Sequence, residues 1–126
     1  MLEKEIKLGL WSLKPFKAPG ADGLHAEFFQ YFWADVKASV CREACNCFKA
    51  RTVPKYLNKT LISLIPKIQS PKSLNNYRPI SLCNTIYKVI TKILVGRIRL
   101  LLDKLISPVQ AAFVPGRRGL DNIIIA

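Results

Sequence analysis

The sequence contains few acidic residues and a single histidine. Eight aspartate and glutamate residues stand against twenty lysine and arginine residues, and the four aspartates are far from one another along the chain. Two-metal phosphoryl transfer needs carboxylates that hold the ions together. Nucleotide-binding glycine loops, HExxH motifs and nucleophile elbows are also absent. The residues themselves therefore predict no catalytic site and no metal site.

Cysteines and long apolar runs are also scarce. Cys41, Cys45 and Cys47 fall in one predicted helix, and Cys83 lies further on, without a CxxC pair or a second histidine to complete a zinc site. We expect reduced, partly buried thiols in a cell interior. No apolar run reaches the length of a membrane span, and charged residues interrupt the first ten positions, so neither a membrane partner nor a signal peptide is expected.

The positive charge is unevenly distributed along the chain. Residues 1–50 carry seven basic and six acidic side chains, whereas residues 51–126 carry thirteen basic and two acidic ones, a net charge of +11. Such a segment attracts polyanions by releasing their counterions. Nucleic acid is the expected partner, and an anionic membrane is the rarer alternative. The simplest alternative is that the positive charge only keeps the protein soluble.

The first half of the chain reads as two helices joined by a loop. Apolar residues at helical spacing predict a helix over 1–13, and two prolines and two glycines predict a loop over 14–23. A long helix is predicted over 25–51, with Asp22 as its N-cap. Its aromatic side chains are expected to pack in the core rather than to stack on bases: Phe28, Phe29, Phe32, Trp33 and Phe48.

The second half begins with a predicted β-hairpin. Residues 59–66 are apolar on both faces and predict a buried strand, residues 67–77 form a polar tip, and residues 78–83 predict the returning strand. A helix is predicted from Asn84 or Thr85 to about 106. Its expected core stripe comprises Ile86, Ile90, Ile93, Leu94, Ile98, Leu101, Leu102 and Leu105, and its expected exposed cations are Lys88, Lys92 and Arg99.

Several cations lie at predicted turns. Lys67 follows the first hairpin strand, Arg78 begins the second, and Arg117 and Arg118 flank glycines in a loop over 110–119. Lysine holds phosphate as a point charge and arginine by a planar fork. Phosphate binding at these turns is therefore predicted, with solvated surface charges as the alternative.

An ordered string of motifs covers nearly the whole chain. It consists of KAPGADG at 17–23, FF at 28–29 with Trp33, LIPK at 64–67, NYRPISL at 76–82, YK at 87–88, SPVQAAFVPGR at 107–117 and DNI at 121–123. In this order and spacing the string resembles the reverse transcriptase of LINE-type, non-LTR retrotransposons, especially the plant elements.

The resemblance implies an α+β fold: a helix-rich fragment of a right-hand polymerase, comprising the fingers and the edge of the palm, with a short antiparallel β-hairpin. Residues 1–126 would be a partial reverse transcriptase domain. Its expected parts are an N-terminal helix and loop (1–23), a helical segment (24–58), the fingers hairpin (59–83) and a helix with a template-path loop (84–126).

The resemblance also implies site residues. Lys67 and Arg78 match the family positions that lie over the triphosphate of the incoming nucleotide. The nucleic-acid contacts implied for the two loops are Lys17, Gly20, Asp22 and Gly23, and then Gln110, Phe113, Gly116, Arg117 and Arg118, with Asp121 beside them. Ala21 departs from the proline usual in the family, which frees one φ angle and loosens the first loop.

The aspartates that bind the family's two magnesium ions lie downstream of the DNI motif. The 126-residue chain is therefore expected to contain no catalytic residue, to hold no cofactor and to be inactive by itself. In the intact family enzyme the cofactor is Mg²⁺ and the partners are an RNA template, a DNA primer and a deoxynucleotide. No obligate protein partner is evident, and the resemblance implies an intracellular location, nuclear or cytoplasmic.

Two alternatives remain open at this point. The first is a stand-alone basic module that binds RNA or DNA. The second is a chain that cannot fold by itself and exposes apolar strips such as residues 123–125. The polymerase interpretation requires Lys67 and Arg78 to lie close together.

Overall fold

The computed structural model describes residues 3–107, 110, 114, 116 and 117. The chain divides into two compact units, Met1–Ile90 and Thr91–Ala126. The helices of the described part are α1 (Glu3–Trp11), α2 (Ala26–Tyr31), α3 (Trp33–Ala50), α4 (Thr85–Arg99) and α5 (Leu102–Leu105), and the strands are β1 (Thr60–Pro66) and β2 (Tyr77–Cys83), with a 3₁₀ turn at Leu74–Asn76. The predicted α+β fold with a short antiparallel hairpin is confirmed.

Helix α1 packs on α2 and α3 through one apolar face. Ile6 and Leu10, spaced four residues apart, are completely buried, as the helical period predicts. The amide of Gln30 in α2 donates to the carbonyl oxygens of Leu10 (3.1 Å) and Leu13 (3.2 Å). The carbonyl oxygen of Leu10 also accepts the N–H of Leu13 (3.1 Å). The bonds from Gln30 add to the pairing of carbonyl groups at the end of α1, so α1 is tied to α2 by polar as well as apolar contacts.

The single helix predicted over 25–51 is wrong, because the chain breaks at Phe32. This residue (φ −92°, ψ 25°) ends α2 and begins α3. Its ring lies 5.2 Å from that of Phe28 and 4.9 Å from that of Tyr31, centroid to centroid. Aromatic residues lose side-chain freedom inside a helix, and the break lets these rings cluster at the surface. Phe29 and Trp33 are buried, as predicted, but the prediction of core packing is wrong for Phe28 and Phe32, which are 38% and 43% exposed.

The prediction that Asp22 caps this helix is also wrong. Helix α2 begins at Ala26, and its N-cap residue is His25, whose side chain makes no capping bond. The carboxylate of Asp22 instead accepts the N–H of Leu24 (3.1 Å). Gly23, at φ +70°, turns the chain between them. The turn separates Asp22 from the helix by more residues than a cap allows.

The two strands pair in an antiparallel register from Thr60 with Cys83 to Pro66 with Tyr77. The prediction of a buried first strand is wrong, since every residue of β1 except the half-buried Ser63 is exposed. Within the described residues the sheet has only these two strands. A lone two-stranded ribbon cannot bury apolar side chains on both of its faces.

Two prolines occupy matching positions on the hairpin. The N–H of Lys67 donates to the carbonyl oxygen of Asn76 (2.7 Å), which marks a hydrogen-bonded position. Such positions alternate along an antiparallel pair. Pro66, one residue before Lys67, and Pro79, three residues after Asn76, therefore both fall at non-hydrogen-bonded positions. Neither proline removes a bond from the ladder.

The helix predicted over 84–106 is shorter in the structure. Helix α4 ends at Arg99, and a turn leads into α5. Of the predicted core stripe, Ile90 and Ile93 are buried, joined by Val89, which the prediction omitted. The remaining exposed members of the stripe are Leu94, Ile98, Leu101 and Leu105. The stripe was predicted from spacing alone, and spacing does not show which of its residues another part of the chain covers.

Candidate nucleic-acid and nucleotide interface

The two hairpin cations lie on one face of the sheet. Arg78 is paired with Ile65 across the ladder. Lys67 follows Ile65 by two residues, opposite Asn76, and residues two apart on a strand point to the same side. Lys67 and Arg78 are therefore diagonal neighbours, a relation that separates two residues by about 7–8 Å in antiparallel sheets.

These two cations differ in their present hydrogen bonding. The Nζ of Lys67 donates to the carbonyl oxygen of Asn75 (2.9 Å) in the hairpin tip. This bond uses one of the three donors of the ammonium group. Arg78 is exposed, and no acceptor for its guanidinium is found among the described residues. Both exposed groups thus keep donors that an anion could use.

The same face carries an apolar strip below the cations. Its members are Leu61, Ile65, Ile80 and Leu82. Ile65 and Ile80 are 45% and 41% exposed. The face thus presents a band of apolar side chains that ends in two positive charges near the tip.

The loop 17–23 lies against the base of the hairpin. Gly20 is buried, and a Cβ atom at this position would lie 2.3 Å from both the backbone nitrogen and the Oδ1 of Asn84. The N–H of Asp22 donates to that Oδ1 (3.3 Å). Gly20 therefore has a packing role here, whereas Lys17, Asp22 and Gly23 of the same loop are exposed.

The first turns of α4 hold the two sides of this loop. The hydroxyl of Thr85 donates to the carbonyl oxygen of Leu24 (2.8 Å), and the Nζ of Lys88 donates to that of Ala18 (2.9 Å). The Nδ1 of His25 lies 3.0 Å from the carbonyl oxygen of Lys17. Sequence reasoning treated Lys88 as an exposed cation and Thr85 as a cap, and missed their contacts with the loop.

Asn84 and Tyr56 extend this network to α3. The Nδ2 of Asn84 donates to the carbonyl oxygen of Tyr56 (3.1 Å). The hydroxyl of Tyr56 donates to the carboxylate of Glu43. That hydrogen bond raises the pKa of Tyr56 above its ordinary value of 10.0, because deprotonation would break the bond and place two negative charges together.

The second unit contains the other predicted contacts. The guanidinium of Arg117 donates to the carbonyl oxygens of Ser107 (2.6 Å), Gln110 (3.0 Å) and Ile106 (3.2 Å), and it lies 3.5 Å from the carboxylate of Asp103. Its side chain is only 19% exposed. Arg117 thus organises its own loop through the carbonyl groups that follow α5.

The structure gives fewer contacts for the other predicted residues of this loop. Gln110 is exposed, and its N–H donates to the carbonyl oxygen of Ser107 (3.0 Å). Gly116 adopts φ +82°, a backbone conformation that favours glycine. Phe113, Arg118 and Asp121 lie outside the described residues. Contact of this loop with a template stays a prediction.

All four cysteines are free. Burial raises the pKa of Cys41 and that of Cys47. Across the described part of the chain, no three metal-binding side chains come together. Nor does any helix there have the length and apolar character that crossing a bilayer requires.

Comparison with known proteins adds one relative. No family model matches the chain. The chain is 37% identical, over 121 residues, to the transposon TX1 uncharacterized 149 kDa protein of Xenopus laevis. The matched region is 96% of this chain but only 9% of the length of that protein. The similarity supports a transposon-derived origin for this chain, in line with the LINE-type resemblance of its motifs.

Proposed function

We propose that this chain is the fingers and the edge of the palm of a LINE-type reverse transcriptase, an RNA-directed DNA polymerase. In this proposal the hairpin binds the triphosphate of the incoming deoxynucleotide, and the loops contact the RNA template and the DNA primer. The observation that carries it is the position of Lys67 and Arg78 on one face of one hairpin. The similarity to a transposon protein supports the same origin; the plant affinity of the motifs stays a prediction.

The chemistry of the two cations suits a triphosphate. The ammonium of Lys67 can approach an oxygen from several directions, whereas the guanidinium of Arg78 offers two parallel N–H groups. Charge-assisted hydrogen bonds of this kind contribute about 1.5–3 kcal/mol each. Their diagonal spacing on the sheet lets both groups reach phosphates of one nucleotide.

The 126-residue polypeptide by itself is proposed to bind without polymerising. In the family, Mg²⁺ held by aspartates stabilises the attacking and leaving oxygens of nucleotidyl transfer. The motifs matched here precede those aspartates. A primer-extension assay on an RNA template with Mg²⁺ tests the point, and incorporation by the purified chain would overturn it.

Binding of deoxynucleotide triphosphate to single variants tests the hairpin directly. Lys67→Ala and Arg78→Ala should each weaken the affinity about tenfold or more, because each removes a charge-assisted hydrogen bond. Matched controls are Lys49→Ala and Arg42→Ala, exposed positions of α3, which should leave the affinity unchanged. Equal affinities for all four variants and the wild type would contradict the proposal.

A stand-alone basic module that binds RNA or DNA is the second candidate. The net charge of +11 on residues 51–126 favours it. Both candidates predict binding to RNA, but only the polymerase fragment predicts a specific site for a deoxynucleotide triphosphate. Strong RNA binding with no saturable triphosphate binding would favour the module.

A further inference from the structure

Asn84 is the residue on which three segments of the first unit meet. Its side chain accepts the N–H of Asp22 and donates to the carbonyl oxygen of Tyr56, while its backbone nitrogen abuts Gly20. The residue is only 5% exposed, so both of its amide atoms are used inside the protein. Asn84 also directly follows Cys83, the last residue of β2.

We propose that Asn84 is a positioning residue for the nucleic-acid surface. It fixes the loop 17–23 to the base of the hairpin, whose tip carries Lys67 and Arg78. This inference rests on the proposed function, in which the loop contacts nucleic acid and the cations of the tip bind phosphate groups, those of the triphosphate or those of a nucleic-acid strand.

The length of β2 sets the distance between the loop that Asn84 holds and the cations at the hairpin tip. Cys83 follows Arg78 by five positions along the extended strand, a distance of about 17 Å at the usual rise. One strand of a nucleic-acid duplex passes about five phosphates over that length. A duplex can therefore contact loop and tip together only while the loop keeps its place at the base. When it does, the second contact forms at high effective concentration.

This arrangement predicts different effects of a loop displacement on the affinity for triphosphate and on the affinity for duplex. A single nucleotide triphosphate contacts the tip alone and does not depend on the loop. A primer–template duplex contacts both sites and loses the second contact when the loop moves. Removal of the Asn84 side chain should thus weaken the binding of duplex and spare the binding of triphosphate.

The test compares Asn84→Ala with Gly20→Ala, a variant that displaces the same loop by a steric clash. Asn46→Ala, at an exposed position of α3, is the matched control. The ligands are an RNA–DNA primer–template duplex and a deoxynucleotide triphosphate. Amide hydrogen exchange at Asp22 reports the loop without any ligand, since this N–H donates to Asn84.

We expect each loop variant to lower duplex affinity about tenfold, to keep triphosphate affinity within about twofold, and to speed exchange at Asp22. The double variant should lose no more duplex affinity than either single variant, because both changes remove the same contact between loop and duplex. Unchanged duplex affinity despite fast exchange would overturn the positioning role. So would an equal loss of triphosphate affinity, which indicates general destabilisation. A wild type that binds neither ligand would overturn the proposed function itself.

Discussion

Gly20 and Asn84 approach each other so closely that no side chain fits between them. A Cβ atom on Gly20 would lie 2.3 Å from the backbone nitrogen of Asn84 and 2.5 Å from the carbonyl carbon of Cys83. Both of these are backbone atoms, which cannot move aside as the end of a flexible side chain can. The glycine of the loop is thus required by packing, whatever the loop binds.

The first prediction follows from that contact. Gly20→Ala should destabilise the protein by about 1–3 kcal/mol, the usual cost of forcing an extra group into a packed site. Gly96→Ala is the matched control, since a Cβ in that part of α4 meets nothing within 4 Å. It should stabilise the protein by about 0.5–1 kcal/mol through its higher helix propensity.

Thermal melts followed by circular dichroism measure both changes. Opposite shifts of the two variants from the wild-type melting temperature are expected. A cooperative wild-type melt would also argue against the view that the chain cannot fold by itself. If Gly20→Ala melted at or above the wild-type temperature, the close packing of the loop would be wrong.

The second prediction concerns alkaline pH. The hydrogen bond to Glu43 raises the pKa of Tyr56 above 10.0 in the folded protein. A raised pKa means that the folded state favours the protonated hydroxyl. The stabilisation is therefore complete below the unfolded pKa of about 10 and is lost as pH rises through the folded value.

The comparison of Tyr56→Phe with wild type tests this dependence. The variant should melt below wild type at neutral pH, and the difference should shrink above pH 10. Tyr31→Phe is the control, since Tyr31 is 82% exposed and its hydroxyl has no partner among the described residues. A constant difference between Tyr56→Phe and wild type at every pH would exclude the proposed linkage.

The third prediction concerns the salt dependence of RNA binding. The logarithm of the affinity for single-stranded RNA should fall with the logarithm of salt concentration by about 0.7 per phosphate neutralised. Arg78→Ala should reduce the magnitude of that slope by about the contribution of one phosphate. Arg42→Ala should leave the slope unchanged. A wild-type slope near zero would mean that the positive charge does not contact phosphates.

The fourth prediction concerns Arg117, whose two terminal nitrogens reach three carbonyl groups in one loop. Lysine has a single terminal nitrogen and cannot reproduce this planar fork. Arg117→Lys should therefore speed hydrogen exchange at the backbone N–H of Gln110, which donates to the carbonyl oxygen of Ser107 in that loop. Arg99→Lys, an exposed position at the end of α4, should not. Equal exchange in both variants would argue that the loop does not depend on the guanidinium.

The local elements followed from local patterns in the sequence. Strand β1 was predicted to within one residue, because the run is rich in β-branched and apolar residues and Pro66 ends it. The break at Phe32 could not be predicted in the same way. It depends on how Phe28 and Tyr31 pack against that ring, and helical periodicity continues through the position.

Burial and long-range contacts were harder to predict from the sequence. Helical and strand periods show which residues share a face, but not whether another layer covers it, as the exposed Ile62 and Leu94 demonstrate. Lys67 and Arg78 came together because hairpin register is local. Asn84 was missed because its bond to Asp22 spans 62 positions, although a polar residue directly after a strand was the available signal.

The prolines of the hairpin have a consequence for self-association. At non-hydrogen-bonded positions the backbone nitrogen faces away from the partner strand, so Pro66 and Pro79 each leave a gap in the row of donors on an outer margin of the ribbon. A second ribbon that paired with either margin would lack one backbone N–H donor there. Within the described part of the chain, the exposed apolar ribbon therefore has margins that are poorly suited to pairing with a second ribbon.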